Sequence, residues 1–421
     1  MTRPPRRALF AGDHGRFLAS ITTTSFAIQV QNTAVGYQMY RLTGDPLALG
    51  MVGLAEALPF IALALGGGLV ADRVDRRRIA LAALTTMAAG ALALVGLARS
   101  EGTLGRPAVR LAIYALIAVG GVCRSFLQPA RTALAAQLAP AGLHAQAVAW
   151  RTGLFQLASA VGPALGGLMC AVLGVEGAYG LAAGLLLCAV LLMGRVRTPV
   201  TAARAPARSL RASVEEGFSF LRSDRVLLPA FLLDLFAVLF GGATALLPVF
   251  ASDVLRVGPR GFGLLRAAPA VGALVASAML ALRPPLRRAG RALLVSVAGF
   301  GVAIVIFALS RSFALSLLML ALSGGLDMVS VLVRSTLLQL RVPEHMLGRV
   351  ASINQIFIGS SNEIGAFESG LAARLLGTVP SVVLGGAVTL AVVGVAAWRA
   401  PHLRRLGPLV PEQQSPVNHQ T

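Results

Sequence analysis

Long apolar stretches alternate with short polar segments along the whole chain, and this pattern predicts a protein that crosses a membrane many times. A helix needs about 20 mostly apolar residues to span the hydrocarbon core of a bilayer. Stretches of that length with little charge recur at 17–40, 47–70, 79–98, 110–135, 146–173, 177–194, 227–252, 260–282, 291–310, 313–338, 351–376 and 380–398. We therefore predict an all-α integral membrane protein with twelve transmembrane helices.

The longest polar segment between these stretches predicts a division into two halves. It runs from Arg195 to Val226 and is rich in Arg, Ala, Pro and Ser, a composition typical of a linker. We expect a six-helix half at 1–195, a cytoplasmic linker at 196–226 and a second six-helix half with a cytoplasmic tail at 227–421. Within the linker, SVEEGFSFLRS is compatible with a short helix in the membrane interface or with an unstructured loop.

A weak internal repeat supports the two halves. When the sequence is shifted by 213 residues, Pro46 falls on Pro259, Gly50 on Gly263 and Arg78 on Arg291. In both halves a helix thus follows a turn with proline and ends at an arginine cluster. Duplicated halves with a substrate site between them are typical of alternating-access transporters.

Composition and charge narrow the class of protein further. Of 421 residues, 56% are hydrophobic and only 13% are charged, which is outside the range of an ordinary soluble domain. If both termini are cytoplasmic, the inner segments carry about 24 arginines and the outer ones about 8, as the positive-inside rule expects. The net charge of +20 is then a sign of topology, and we expect an inner-membrane location with no nucleic-acid partner.

The sequence contains no pattern that predicts an enzyme, a cofactor or a metal site. The three cysteines fall within apolar stretches, where thiols usually pack as small hydrophobic groups. Neither a nucleophile elbow nor a phosphate-binding Gly-x-x-x-x-Gly-Lys loop is present, so hydrolysis of ATP is not expected to drive the protein. The expected partners are a small-molecule substrate, protons and the lipid bilayer, and we expect a functional monomer.

The connection after the second apolar stretch carries the most specific motif. Residues 67–81 read GGLVADRVDRRRIAL, with six charges between Asp72 and Arg78. This segment resembles the signature loop of the major facilitator superfamily, which the family also has after its second span. One difference is Asp75, where the family usually has glycine, so the turn must form here without a positive φ angle.

The resemblance implies that this loop is a conformational latch. In the family, the acidic residue of the motif meets the start of span eleven and nearby arginines while the central cavity faces outward. A carboxylate such as Asp72 is favoured at a helix N-terminus and beside a guanidinium group. The alternative is that the charges only set the topology. The residues that this resemblance assigns to the latch are Gly68, Asp72, Arg73, Arg76, Arg77 and Arg349.

A second motif, in the fifth span, favours export over uptake. Gly162, Pro163, Gly166 and Gly167 form a Gly-Pro-x-x-Gly-Gly pattern that resembles a motif common in the exporter branches of the family. Small residues allow close helix approach and proline bends a helix, so ordinary helix packing is the alternative. Stretches along nearly the whole chain, namely LTGDPLALGMVGLAEALP, FLQPARTAL, LLPVFASDVL, GRVASINQIFIGSSNEIGAFESG and the region of Asp327, also resemble the subfamily that contains the enterobactin exporter. This resemblance implies efflux of a siderophore, a metabolite or a drug.

Polar residues inside the first span predict that this helix lines the transport pathway. Thr24, Gln31 and Gln38 recur every seven residues, and Ser25 and Asn32 lie beside them. Lipid would disfavour such a stripe, whereas a water-filled cavity would accept it. Hydrogen bonding between packed helices is the alternative interpretation.

Ionisable residues inside predicted spans are further candidates, because an unpaired charge there costs at least about 2.5 kcal/mol. Arg124 lies near mid-membrane, where Glu56 or an anionic substrate could balance it. Asp327 and Arg334 lie on one face of span ten and are expected to form a structural salt bridge. Glu363 lies in a polar, glycine-flanked part of span eleven and is the expected proton carrier, with Asp234 as the second choice.

These observations favour a transporter that exports a small molecule by alternating access in exchange for protons. Two alternatives stay open at this point. One is an importer or symporter of a nutrient, which the motif in the fifth span disfavours. The other is a membrane sensor or scaffold that transports nothing, which the repeat and the intramembrane charges disfavour.

Overall fold

The architecture is known from a computed structural model of the chain, which describes residues 9–197, 210–282 and 288–407. Side chains are not described at 64–73, 210–215, 344–345, 348–349, 351–352, 355–358 and 360. Within the described part the secondary structure is entirely helical. The α-helices are α1 Gly12–Thr43, α2 Pro46–Arg73, α3 Arg76–Arg99, α4 Glu101–Leu104, α5 Arg106–Leu138, α6 His144–Gly194, α7 Leu210–Ser223, α8 Leu227–Gly241, α9 Leu247–Val249, α10 Gly258–Ala281, α11 Ala289–Leu309, α12 Phe313–Arg341, α13 Glu344–Leu376, α14 Thr378–Arg399 and α15 Pro401–Arg404.

The helices follow the predicted apolar stretches closely. Among the described residues, nine helical segments are long and apolar enough to cross a membrane, and the long helices α1 and α13 are not among the nine. The predicted fifth and sixth spans form the two parts of α6, which are separated at Gly174, where a φ of 71° and a ψ of −179° are not helical and suit glycine. The all-helical membrane architecture is therefore confirmed, while the count of twelve spans stays a prediction.

The predicted seventh span is less regular than its hydropathy suggested. Helix α8 ends at Gly241, and Gly242 has a non-helical ψ of 55°. A 3₁₀ turn, Ala243–Leu246, the single turn of α9 and a π-helix, Phe250–Val254, continue the segment. Pro248 lies within this irregular stretch, where it removes a backbone donor from the helix. In the linker, α7 forms a 14-residue helix, which decides between the helix and the loop that the sequence allowed.

Two groups of helices pack mainly among themselves. In the first group α1 and α3 pack on α6, while α2 and α3 pack on α5. In the second group α10 and α11 pack on α12, and α8, α11 and α13 pack on α14. Two extensive contacts join the groups, one between α2 and α13 and one between α6 and α10.

Glycines make both joining contacts possible. A Cβ on Gly370 of α13 would lie 2.9 Å from the Cα of Gly50 in α2, and a Cβ on Gly263 of α10 would lie 2.8 Å from the Cα of Gly167 in α6. Any side chain at these positions would hold the helices apart. Gly50 and Gly263 are the residues that the internal repeat aligns, so the repeat places the same small residue at both contacts.

The connection between α2 and α3 forms as expected from Asp75. Its φ of −53° is negative, and its side chain accepts a hydrogen bond of 2.8 Å from the backbone N–H of Arg77, which caps α3. The Arg77 side chain donates to the backbone carbonyls of Met193 and Gly194 at the end of α6. The prediction of a turn without positive φ is confirmed, and Arg77 ties this loop to its own helix group.

Candidate functional site

An ion pair between α2 and α5 forms the centre of the candidate site. Arg124 of α5 donates to the carboxylate of Glu56 in α2. The guanidinium group also lies 5.7 Å from the centre of the Phe60 ring, one helical turn further along α2, in a cation–π arrangement. Gly121, one turn before Arg124, gives α5 room against α2, since a Cβ there would lie 3.1 Å from Pro59. The sequence had named Glu56 as a possible counter-charge for Arg124, and the structure brings the two together.

Two residues from the second helix group complete a four-charge cluster. Glu363 of α13 lies against α2, where its Oε2 is 3.4 Å from the position that a Cβ on Gly53 would take. Arg266 of α10 lies against α1, with its Nη1 3.7 Å from the corresponding position on Gly36. Electrostatic interactions link Glu363 to Glu56, Arg124 and Arg266. We call Glu56, Arg124, Arg266 and Glu363 the central charge cluster.

The central charge cluster joins the two helix groups and balances its own charge. Two of its members come from each group, and it contains two carboxylates and two guanidinium groups. Each of the four is enclosed by protein, yet each keeps some accessible surface. Charged side chains that are enclosed but still accessible are expected to line a water-filled cleft, because lipid would disfavour them.

Sequence reasoning missed Arg266, although the signal was present. The residue lies inside the predicted span at 260–282, so the criterion of an ionisable residue within a span applies to it as it does to Arg124. Arg131 and Arg151 also lie inside predicted spans and were missed for the same reason.

The polar stripe of α1 divides into two parts, which corrects the prediction that all of it lines the pathway. Gln38 is fully buried, accepts a 2.6 Å hydrogen bond from Tyr179 and donates one of 2.5 Å to Glu101. The hydroxyls of Thr24 and Ser25 are buried and bond to carbonyls of their own helix. These three residues stabilise packing, because polar groups removed from water need partners inside the protein.

The middle of the stripe remains a candidate for the pathway. Gln31 and Asn32 are only partly buried. Asn32 is one helical turn from Gly36, so it shares the face of α1 against which Arg266 lies. This part of α1 therefore faces the central charge cluster.

A second buried ion pair corrects the expected partner of Arg334. Its Nη2 lies 2.6 Å from the carboxylate of Asp234 in α8, and its Nε lies 3.3 Å from the Ser330 hydroxyl. Both side chains of the ion pair are at most 8% exposed. In the described part of the chain Asp327 forms no salt bridge with Arg334, although the charges of the two interact. The predicted bridge within α12 is wrong, because α8 presents a carboxylate directly to the arginine.

Several polar contacts join the two helix groups at one end of the molecule. Tyr40 at the end of α1 donates to the carboxylate of Asp253 in the π-helix, and Arg374 of α13 lies 3.5 Å from Asp45, which precedes α2. The Gly50–Gly370 contact lies one turn from this end of α2. We call the end at which Tyr40, Asp45, Asp253 and Arg374 meet the closed end.

The motif in the fifth span lies between the two helix groups. A Cβ on Gly162 would lie 2.6 Å from Gln29 of α1, and one on Gly166 would lie 3.0 Å from Thr33. Gly167 faces the opposite way, toward α10, where a Cβ would lie 2.5 Å from the Pro259 carbonyl. The glycines that follow Pro163 thus bring α6 close to helices of both groups.

Most of the predicted latch lies outside the residues whose side chains the structure describes. This applies to Gly68, Asp72, Arg73 and Arg349. Arg76 begins α3 and is partly buried, and Arg77 makes the contacts to α6 given above. The latch therefore stays a prediction.

Comparisons with known proteins agree with this architecture. The model of the Major Facilitator Superfamily matches residues 17–366. The enterobactin exporter EntS of Citrobacter koseri is 30% identical over 398 residues, which cover 94% of this chain and 91% of that protein. The enterobactin exporters EntS of Shigella boydii and Escherichia coli are 29% identical over the same length.

Solved transporter structures resemble the fold at low sequence identity. A POT family transporter in complex with 5-aminolevulinic acid has a TM-score of 0.71 at 12% identity and covers 92% of this chain and 96% of that one. The nucleoside transporter NupG has a TM-score of 0.68 at 13% identity, with 91% and 98% covered. Since these identities are low, the likeness concerns the fold alone.

The buried pair of Asp234 and Arg334 generates a stability prediction. Asp234→Leu or Arg334→Met alone leaves an unpaired charge in the protein, which costs about 3–5 kcal/mol. We expect either variant to lower the thermal unfolding midpoint of the detergent-purified protein, and the double variant to recover most of the loss. Asp327→Asn is the matched control and should have a smaller effect. A double variant that loses the sum of the two single losses would contradict the pair.

Proposed function

The chain belongs to the Major Facilitator Superfamily and is a multi-pass membrane transporter, not an enzyme, and on this premise we propose that it exports a siderophore-type small molecule. The observation that carries the proposal is the 30% identity, over 94% of the chain, to a protein named as an enterobactin exporter. The Gly-Pro-x-x-Gly-Gly motif that resembles the exporter branches supports the same direction of transport. Metabolites and drugs are the other substrate classes that the resemblance implies.

Transport proceeds by alternating access between two halves, residues 1–195 and 227–421, joined by the linker at 196–226. The arginine bias supports cytoplasmic termini in the inner membrane, so the closed end faces outward and the cleft opens to the cytoplasm. The substrate enters this cleft from the cytoplasm and meets the central charge cluster. Reopening at the other side requires that the Gly50–Gly370 and Gly167–Gly263 contacts separate. The protein works as a monomer, because each chain contains both halves.

Export is coupled to protons through Glu363. Its carboxylate interacts with the negative charge of Glu56, so a proton added to Glu363 removes a repulsion between the two acids. Arg124 of the first half and Arg266 of the second also interact with Glu363, so a change in the protonation of Glu363 changes its interaction with both halves. Gln31 and Asn32 supply neutral polar contacts on the adjacent face of α1. Asp234 is not the preferred carrier, because its ion pair with Arg334 already satisfies it.

The loop between α2 and α3 stabilises the opposite conformation, in which the cytoplasmic side is closed. The resemblance to the family motif and the partner chemistry of Asp72, Arg73 and Arg349 support this role. Arg77 also fixes this loop to its own half, because its side chain donates to the Met193 carbonyl at the end of α6.

The experiment that tests export and coupling together uses inside-out membrane vesicles with an acidic lumen. Uptake of enterobactin should be faster with the pH gradient than without it. Glu363→Gln should remove most of this acceleration, while exchange of substrate for substrate persists because exchange transfers no net proton. Glu368→Gln is the matched control on the same helix, since Glu368 lines a separate cavity of about 10 Å³.

Each outcome bears on a different step of the proposal. If the unmodified protein moves no enterobactin into or out of the vesicles, enterobactin is not its substrate and the siderophore proposal is contradicted. Uptake that ignores the pH gradient would contradict proton antiport. A Glu363→Gln variant that responds fully to the gradient would show that another acid carries the proton.

The latch is tested by Asp72→Asn. Loss of this charge removes an attraction worth about 1–3 kcal/mol, which shifts a balanced two-state carrier about five- to 150-fold toward the conformation with the closed end. Transport should fall strongly while the amount of inserted protein, measured by immunoblot of membranes, stays the same. A normal transport rate in this variant would contradict the latch.

A further inference from the structure

Arg131 of α5 and Arg151 of α6 form a cationic pair that the proposed proton coupling does not use. The charges that act on Arg131 are those of Arg151 and Arg124, and all have the same sign. In the described part of the chain, neither Arg131 nor Arg151 takes part in a salt bridge or a side-chain hydrogen bond. Arg131 is therefore repelled by two other guanidinium groups, of which only Arg124 has a counter-charge, Glu56, in the described part of the chain.

The position of Arg131 shows that it is not an ordinary exposed arginine on the protein surface. Arg131 lies seven residues before the end of helix α5 at Leu138, and most of its side chain is enclosed by protein. It nevertheless keeps part of its surface accessible, as does Arg151. No polar side-chain atom in the described part of the chain is both fully buried and without a partner. The guanidinium donors of Arg131, which have no partner in the described part of the chain, are therefore accessible to solvent.

Helical geometry places Arg131 on the same face of α5 as Arg124 of the central charge cluster. Arg124, Gln128 and Arg131 are spaced four and three residues apart, so they form one polar stripe along α5. Arg124 belongs to the central charge cluster, and the stripe leads from it toward Arg151. A molecule that touches Arg131 and Arg151 would therefore lie about two helical turns, or about 10 Å, along α5 from Arg124.

The charge balance defines what such a molecule must carry. The central charge cluster has two arginines and two glutamates, whereas Arg131 and Arg151 add two positive charges that no described acid balances. Unpaired charges enclosed by protein are costly, and guanidinium groups bind paired oxygens of carboxylates and similar anions in a bidentate way. An anion with two acidic oxygen groups would remove the imbalance.

We propose that Arg131 and Arg151 form an anion subsite that binds acidic oxygens of the exported molecule about two helical turns along α5 from Arg124. This inference rests on the proposed function and deepens it, because it restricts the substrate to organic anions or to molecules that present acidic oxygens. Two roles then fall to different residues: Glu363 binds and releases the proton, and Arg131 and Arg151 bind the substrate.

The test measures equilibrium binding to the purified protein, so its result does not depend on export or proton coupling. The probes are benzamide, benzoate and isophthalate, which share an aromatic ring and carry zero, one and two negative charges. Titration calorimetry should show affinity that rises with charge. Arg131→Gln should weaken isophthalate binding about tenfold, in line with the loss of one hydrogen-bonded ion pair. Arg131→Gln/Arg151→Gln should bind isophthalate no better than benzamide.

The controls separate a binding role from a structural one. Arg106→Gln, an exposed position at the start of α5, should leave all affinities unchanged. Without ligand, Arg131→Gln should unfold at the same or a higher temperature than the unmodified protein, because it removes repulsion and breaks no salt bridge. A large drop in that temperature would indicate a structural arginine and overturn the proposal, as would equal affinities for benzamide and isophthalate in the unmodified protein.

A lipid phosphate could use the same arginines, and a second arm of the experiment distinguishes it. Isophthalate affinity is compared in nanodiscs of phosphatidylcholine and of phosphatidylglycerol. Equal affinities support a soluble anionic ligand. Loss of binding in phosphatidylglycerol alone would assign the arginine pair to a lipid headgroup and contradict the proposed subsite.

Discussion

The architecture depends on one constraint: a charge within a membrane-spanning helix must have either a counter-charge or water. Asp234 and Arg334 satisfy it with a fully buried ion pair inside the second helix group. Glu56 and Arg124 satisfy it at the boundary between the groups, where they remain partly accessible. The first pair holds packed helices together, whereas the second lies where the contacts between helices can change. An ion pair that is closed off from water contributes to stability, whereas an ion pair that water can reach is available for substrate binding and proton transfer.

The second requirement is that the two helix groups meet without being fused. Glycine contacts between α2 and α13 and between α6 and α10 let helices of the two groups approach closely at these points. One buried apolar cluster spans both groups, with Tyr179 from the first and Phe250 and Phe307 from the second, so separation of the groups also exposes apolar surface. The polar contacts at the closed end, including that of Tyr40 with Asp253, are ones that water can replace.

The sequence was sufficient for features that depend on local chemistry. Hydropathy located the helices to within a few residues, because the length and polarity of a segment decide whether it can cross a membrane. The negative φ at Asp75 followed from its side chain alone. Features that depend on which helices become neighbours were not predictable in this way. Arg334 pairs with Asp234, 100 positions away in the chain, and Gln38 is buried by Tyr179 of α6. Arg266 was missed although its place in a predicted span marked it as a candidate.

The central claim is that the closed end opens during transport, and cross-linking tests it most directly. Tyr40→Cys/Asp253→Cys, in a background without Cys123, Cys170 and Cys188, joins two positions that are in contact here. A short bifunctional methanethiosulfonate reagent should link the two cysteines and stop enterobactin transport. Reduction of the cross-link should restore transport, and the single-cysteine variants should transport throughout. A linked protein that transports at the normal rate would show that this end need not open, and would contradict alternating access between the two halves.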